Sequence, residues 1–539
     1  MSASLGKHSL GNPQGVSPPL IKVTNNSLWN MGGLIAGSLI NFVTTPILIY
    51  LLGKEQYGLM ALLISVLAPL GLLDFGIGEA TVKYIAENIG REDYVQTGKY
   101  LRSTLLFNLS VGCLGAMVII LLAGFLVTSV FNVPSGSQDL ARYCLYWIGI
   151  NWCVMQIRQT FTGVVMAMQH YGILNIGYII TNLITIVAGL GILFLGGNLL
   201  DLVRIQAIVA ALMALGWLIV AQRLLPNISF LPRLDLLSFR KSLGFGLWQM
   251  LNRMGGILGH QSERWLLGVL LPVSTVGFYN VGVQVVGVVY LAAYKTGEVL
   301  FPAVSQMQGQ LRDEEAARLV VQANWVITAL AISCFVPLIV FAYDLLFVWI
   351  GLDFAMNTAG LLRILAFGSA ASCLFAIPSF YLLGIGKSKW LALMSFIQGI
   401  ITLAIAAVLI PRVGLAGAGW GVTLSTVVHV TVLILMWKRI FRIWIPARVY
   451  FSATFGQYGV GAAIAIGLMF LRDTFTWSPS WISLGVAGFL CALISATVIA
   501  FIDSFLPGGM ERRQLLFKLG AARVHVLSGL LMGTYTKQT

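Results

Sequence analysis

Charge is scarce in this chain. Of its 539 residues only 10% are Asp, Glu, Lys or Arg, where a typical soluble domain carries about 25%. Acid is scarcer still, at 19 residues against 33 basic ones. With 58% of residues hydrophobic and a mean hydropathy of +0.89, a water-soluble globule is excluded. Cysteine is sparse too. The six (Cys113, Cys144, Cys153, Cys334, Cys373 and Cys491) all fall in apolar runs and form no CxxC, so neither a disulfide framework nor a metal site is expected. A GxxxxGK[ST] loop is missing, which argues against an ATP-driven pump; HExxH and GxSxG are missing as well. No cofactor is expected, and no enzyme. The loops on one side of the apolar runs are all short, leaving little room for the catalytic groups of a membrane glycosyltransferase.

What is present is a succession of apolar segments, each long enough to cross a bilayer. About fourteen emerge, near 28–52, 57–82, 103–128, 140–167, 172–196, 199–222, 243–267, 275–302, 323–350, 358–383, 388–410, 414–437, 451–471 and 481–503. The fold class is therefore an all-α polytopic membrane protein. Alternate loops sort the charge: Arg223, Arg233, Arg240, Lys438, Arg439 and most other cations lie on one side. The other side holds only Lys54, Arg142, Arg204, Arg363, Arg412 and Arg472. The positive-inside rule then places both termini in the cytoplasm of a multi-pass protein of the cytoplasmic (inner) membrane. The basic excess is an orientation signal and an attraction to anionic headgroups, so nucleic acid is not an expected partner.

The chain is organised around 248–298. There GLWQMLNRMGGILGHQSERWLLG is followed by the break LPVSTVGFY and by NVGVQVVGVVYLAAYKTGEVLF. Both halves of this stretch are long enough to span, yet carry Arg253, His260, Glu263, Arg264, Lys295 and Glu298. A charge in hydrocarbon costs roughly 2.5–3.5 kcal/mol on an insertion scale, so these side chains are expected to face protein or water. At 100° per residue, Gln249, Arg253, Gly256, His260, Glu263 and Arg264 share an arc about 100° wide. Gln284, Lys295 and Glu298 share a similar arc on the next helix.

This stretch has a twin 219 residues earlier. Leu247-Trp248-Gln249-Met250 aligns with Leu28-Trp29-Asn30-Met31, Gly256 with Gly37, His260 with Asn41, Gly277 with Gly58 and Glu298 with Glu79. A constant offset over two helices and their turn implies an internal duplication with both copies running the same way. Parallel repeats of this kind belong to transporters that hold a substrate between two lobes. The expected division is a cytoplasmic tail at 1–27, a first lobe at 28–222 (six spans) and a cytoplasmic linker at 223–242. A second lobe follows at 243–440, then two further spans at 441–503 and a cytoplasmic tail at 504–539.

Outside the twin stretches, Arg158 lies in the interior of the fourth span with Asn151 and Thr162 on its face, and an arginine there points inward. Glu79 can pair with Lys83 four residues on, while Asp74 and Glu79 fall about 140° apart and share no face. Asp344 and Arg363 sit near span ends, where snorkelling makes charge cheap. His429, alone in its span, reads as a packing histidine. The segment ENIGREDYVQTGKYLR is amphipathic and is expected to lie on the membrane surface. The candidate cavity lining is Asn30, Asn41, Arg158, Gln249, Arg253, His260, Arg264 and Lys295, with Asp74, Glu79 and Glu298 as candidates for ion coupling. Four cations inside spans suit an anionic substrate such as a diphosphate. Arg253 and Arg264, eleven residues and about 16 Å apart on one helix, could serve successive headgroup positions.

The stretch LLGKEQYGLMALLISVLAPLGLLDFGIGEATVKYIAE resembles the opening of Wzx-type polysaccharide exporters. SERWLLGVLLPVSTVGFYNVGVQVV resembles the start of their second lobe, with Glu263 as the acidic residue ahead of an apolar run and GxY. These exporters belong to the MOP superfamily, alongside MATE drug exporters and lipid II flippases. The resemblance implies two pseudo-symmetric six-helix lobes plus two C-terminal helices. It also implies a flippase that moves an undecaprenyl-diphosphate-linked oligosaccharide, for O-antigen, capsule or exopolysaccharide, with other polysaccharide assembly proteins as further partners. The alternative is a MATE-like multidrug or cation antiporter, which calls for an acidic, aromatic cavity.

Overall fold

The computed structural model describes residues 18–298, 313–384, 387–440, 447–474 and 478–503 except Gly76, Gln169 and Asn227, with the side chains of some helical stretches, 237–249 and 251–253 among them, left outside the description. Every regular element among the described residues is helical. Hydrocarbon offers backbone groups no partner, so each span satisfies its own N–H and C=O groups within a helix. The elements are α1 (Pro18–Ser65), α2 (Leu67–Leu70), a 3₁₀ turn (Gly71–Asp74), α3 (Ile77–Gly90) and α4 (Tyr94–Phe125). Next come α5 (Gln138–Ala167), α6 (Tyr171–Phe194), α7 (Leu199–Leu224), α8 (Leu236–Leu270) and α9 (Val273–Glu298). Then follow α10 (Asp313–Val340), α11 (Ala342–Trp349), α12 (Leu352–Gly384) and α13 (Ser388–Val413). The last described elements are α14 (Leu415–Ile440), α15 (Ala447–Thr474) and α16 (Trp481–Asp503).

Eleven helices among the described residues are long and apolar enough to cross a membrane. Fourteen were expected, and the difference has local causes. The first expected span and the start of the second lie in one helical run, α1, broken inside only where Gly53 adopts φ 77° and ψ 162°. The rest of the second passes through α2, the 3₁₀ turn and Phe75 at φ 47° into α3. In the second copy the same position is Pro272, between α8 and α9, so two different residues make the equivalent break. Spans four and seven correspond to α5 and α8, which are helical but not among the eleven. α5 carries Gln156, Arg158 and Gln159 along its length, and α8 is described only in part.

Short polar signals start the helices. Asp93 caps α4 by accepting from the Gln96 amide at 2.8 Å. Asn198 and Asp201 form a reciprocal capping box on α7. The Asp93 cap also corrects the expectation for the 87–102 segment. It is not one surface helix: α3 ends at Gly90, Glu92 takes φ 58°, and Tyr94–Arg102 is the first part of the spanning helix α4. Of the two expected tails, 1–17 and 504–539 lie outside the described residues, whereas 18–27 is no loose tail but the first part of α1.

The duplication extends through the helix order. α4 and α10 start 219 residues apart, α6 and α13 217, and α7 and α14 216. Packing repeats as well: α6 lies against α1 as α13 lies against α8, and α6 against α7 as α13 against α14. The largest apolar core runs through both halves, joining Leu62 and Leu63 of α1 to Tyr279 of α9 and Leu362 of α12. A second core sits within the first half around Leu101, Phe161 and Trp217. A third ties α15 and α16 to α10 through Ile332, Val336, Ala465 and Cys491.

Asp344 departs from its expected role. It does not snorkel to solvent. It is 2% exposed, and Arg472 grips both its carboxylate oxygens, Nε at 3.0 Å and Nη2 at 2.8 Å. This pair fastens α15, outside the repeat, to α11 of the second half. The six cysteines are free, although the Cys113 and Cys153 sulfurs approach to 3.8 Å between α4 and α5.

Candidate functional site

Among the described residues, each half has a cavity with polar lining between its helices. The first, about 430 Å³, lies among the 3₁₀ turn, α3, α5 and α6; Asp74, Gln156, Arg158, Gln159 and Tyr178 contribute to it. Asp74 is 2% exposed and its Oδ2 accepts from Gln159 Nε2 at 3.4 Å. Arg158 points into this cavity from the interior of α5, four residues before Thr162, whose hydroxyl donates to the Arg158 carbonyl. An acid and a guanidinium thus line one space.

The second cavity, about 370 Å³, lies among α8, α9, α12, α13 and α14. His260 and Arg264, one turn apart on α8, line it, facing Gln398 of α13 and His429 of α14. The Arg264 guanidinium is fixed on three sides. Nη1 donates to the His260 carbonyl at 2.9 Å and to Gln261 Oε1 at 2.8 Å, and Nη2 donates to Asn280 Oδ1 at 3.1 Å. It also stands 5.9 Å over the Tyr279 ring. Asn280 in turn donates from its amide nitrogen to the Tyr57 hydroxyl of the first half at 2.9 Å. Arg264 is therefore held by its own half and linked by one relay to the other.

Glu263, next along α8, does not join this group. Adjacent helical residues point about 100° apart, and Glu263 is fully buried with both carboxylate oxygens unpartnered among the described residues. An ionised carboxylate left so would cost several kcal/mol. Among the described residues no side chain hydrogen-bonds to it.

Between the halves runs a seam that is tightly closed at the end bearing the Gly53 and Pro272 breaks. Trp349 donates to the Phe42 carbonyl at 2.9 Å, and the two rings stack at 4.2 Å. Trp265 donates to the Ser65 carbonyl at 3.1 Å, Thr45 to Gln284 at 3.0 Å, and the Asn132 amide to the Gly268 carbonyl at 2.7 Å. Lys54 and Asp353 close the rim at 2.9 Å. At the centre of this end, Gly58 meets Gly277.

Of the candidate residues, the structure brings His260 and Arg264 together in one cavity and places Arg158 and Asp74 in the other. Asn41 is exposed and lines neither. The side chains of Asn30, Glu79, Gln249, Arg253, Lys295 and Glu298 lie outside the described residues. The sequence alone suggests a satisfied packing histidine at His429. It does pack edge-on against Phe375, at 3.9 Å between rings, but its Nε2 is buried without a partner and it lines the cavity. Gln398, Gln159 and Tyr57 were not singled out at all; a polar residue near the middle of an apolar span was the one signal that could have found the two glutamines.

A family model described as polysaccharide biosynthesis protein matches residues 23–308, more than half of the chain. The chain belongs to the polysaccharide biosynthesis protein family. A relative from Shigella flexneri, provisionally named as an O-antigen transporter, is 20% identical over 421 residues, covering 77% of this chain and 97% of its own. Among solved structures, the lipid II flippase MurJ in an inward closed conformation matches with a TM-score of 0.65 and 13% identity, covering 89% of this chain and 99% of its own. A MATE family multidrug transporter of the MOP superfamily, inward-facing, matches at 0.63 and 16% identity, covering 77% and 94%. At these identities the likeness is one of fold. This member of the polysaccharide biosynthesis protein family therefore has the all-helical architecture of MOP superfamily membrane transporters.

Proposed function

We propose that the chain is a flippase that carries an undecaprenyl-diphosphate-linked oligosaccharide across the cytoplasmic membrane by alternating access between two halves, near 28–222 and 243–440. The observation that carries this reading is the lining of the second-half cavity, which among the described residues holds a guanidinium and two imidazoles and no carboxylate. A planar guanidinium already fixed in orientation is suited to a diphosphate. A cavity for cationic drugs would need the opposite polarity, so the antiporter reading is the weaker one. The family match and the Shigella relative support a saccharide-linked substrate.

The orientation in this reading puts both termini in the cytoplasm and the Gly53 and Pro272 breaks at the outer face. The closed seam then corresponds to an inward-facing state, ready to load from the inner leaflet. Outward movement of each negative charge gains roughly 2.3 kcal/mol per 100 mV of inside-negative potential. Asn30, Gln249, Arg253 and Lys295 remain candidates for the cavity wall, and Glu79 and Glu298 for coupling to an ion. Other polysaccharide assembly proteins are the expected partners at the membrane.

The test is reconstitution into vesicles with a fluorescent lipid-diphosphate saccharide. Wild-type protein should expose the label to an external quencher, and Arg264→Ala should slow that exposure at least tenfold. Deletion of the gene should remove surface polysaccharide without altering drug sensitivity. The reverse pattern, intact polysaccharide and raised drug sensitivity, would establish the antiporter instead.

A further inference from the structure

The second-half cavity carries more than a diphosphate requires. Behind Arg264, its walls include the rings of Tyr290 and Phe375, the amide of Gln398 and the hydroxyls of Ser369, Ser372 and Thr426. Ser372 and Thr426 lie 3.2 Å apart across α12 and α14, and each is anchored to a carbonyl in its own helix. Among the described residues, the side chains of Gln398 and Ser369 make no hydrogen bond, so a donor pair, a carbonyl and a hydroxyl are available to a ligand.

These features together define a class of ligand. Polar groups within an apolar span are costly unless something hydrogen-bonds to them. A ring bearing many hydroxyls supplies such partners, while its C–H face packs against aromatic rings. The cavity, at about 370 Å³, falls within the roughly 300–1,000 Å³ of small-molecule sites. The first-half cavity differs in kind: its wall holds the acid Asp74 beside Arg158, Gln156 and Gln159. The two halves are therefore chemically unequal despite their common origin.

We propose that the second-half cavity is the saccharide-reading site: it receives the sugar ring next to the diphosphate, with Gln398, Ser369 and Thr426 contacting its hydroxyls and Tyr290 or Phe375 its apolar face. The assignment rests on the transport reading above and adds selectivity to it. Arg264 stands between the two ligand parts, and its relay through Asn280 to Tyr57 reaches the seam. The sugar pocket thus adjoins the groups that join the halves.

The experiment compares two fluorescently tailed polyprenyl diphosphates in proteoliposomes, one bearing a single hexose and one bearing no sugar. Gln398→Leu is expected to slow the hexose-bearing carrier at least fivefold and to leave the bare carrier within twofold of wild type. Ser369→Ala, a smaller change, should produce a selective loss of two- to threefold, and it decides the matter if Gln398→Leu moves neither carrier. Wild-type protein moving both carriers while Ser369→Ala and Gln398→Leu slow both equally, or neither, would overturn the pocket assignment alone. Wild-type protein moving neither carrier would overturn the transport reading and this assignment with it.

Discussion

Gly58 and Gly277 occupy equivalent places in the two copies of the repeat and face each other across the seam. A methyl group on Gly58 would run into the Val273 carbonyl and stand 3.2 Å from the Gly277 nitrogen. One on Gly277 would stand 3.2 Å from the Gly58 Cα and 3.4 Å from the Lys54 carbonyl. Since Lys54 and Val273 are also 219 apart, each copy makes the same contact with the other. That reciprocity is the mark of a two-fold axis, and the axis passes between these glycines.

A side chain at either glycine should wedge this end of the seam apart. Overpacking typically costs about 1–3 kcal/mol, which is roughly a 5–150-fold shift between two states. Gly58→Leu should increase labelling of a cysteine placed at Gln56 by a membrane-impermeant thiol reagent, and slow transport. Gly277→Ala should do so more weakly, because its nearest neighbours leave a little more room. Equal labelling in wild type and Gly58→Leu would mean that the close approach does not govern closure.

Much of the fold was legible because a span is a local property of sequence. Apolar length marked most helices, and the constant offset revealed the repeat from Leu28 and Leu247 onward. That Gly58 aligns with Gly277 was visible; that they touch was not, because an alignment carries no information about where the axis falls. The break at Glu92 depends on a single cap at Asp93, which amphipathic periodicity overrides. Asp344 was misjudged since its partner lies 128 residues away in a helix outside the repeat. The second-half cavity is built from five helices, and its single polar residues, Gln398 and His429, look like ordinary interruptions until the helices are assembled.

The Lys54–Asp353 pair should matter little to stability. Both side chains are about half exposed, at 47% and 51%, and exposed pairs contribute about 0–1 kcal/mol. Asp353→Asn should leave transport within threefold of wild type at 0.15 M salt. Any effect should shrink further at 0.5 M salt, where screening is stronger. A tenfold loss that persists at high salt would show that the contact is a gate and not a rim ornament.

Asp344 and Arg472 should behave in the opposite way. Breaking a buried, bidentate pair leaves one charge unpaired and costs roughly 3–5 kcal/mol. Asp344→Ala should lower the thermal midpoint of the detergent-solubilised protein, as α15 loosens from α11. The double variant Asp344→Leu/Arg472→Met should recover most of that loss, because apolar replacement of both partners removes the stranded charge. If the double variant is no better than the single one, the pair holds α15 by shape and not by charge.

The relay from Arg264 to the seam makes the most demanding prediction. Asn280 uses both ends of its amide, its oxygen accepting from Arg264 and its nitrogen donating to Tyr57. Opening the seam must separate Tyr57 from Asn280 and so loosen the Asn280 amide that orients the guanidinium. Arg264→Lys keeps the charge but cannot reach Gln261 and Asn280 together, since a single ammonium replaces a fork. It should slow transport roughly tenfold, in line with about 1.5–3 kcal/mol for hydrogen bonds to a charged group. Tyr57→Phe removes only the far end of the relay and should cost less. Residues that act through one network give non-additive effects, so the double variant should be scarcely slower than Arg264→Lys alone. Initial rates of carrier transfer for the four proteins form the cycle. Strictly additive losses would mean that the guanidinium and the seam are independent, and that ligand contact at Arg264 does not reach the closure between the halves.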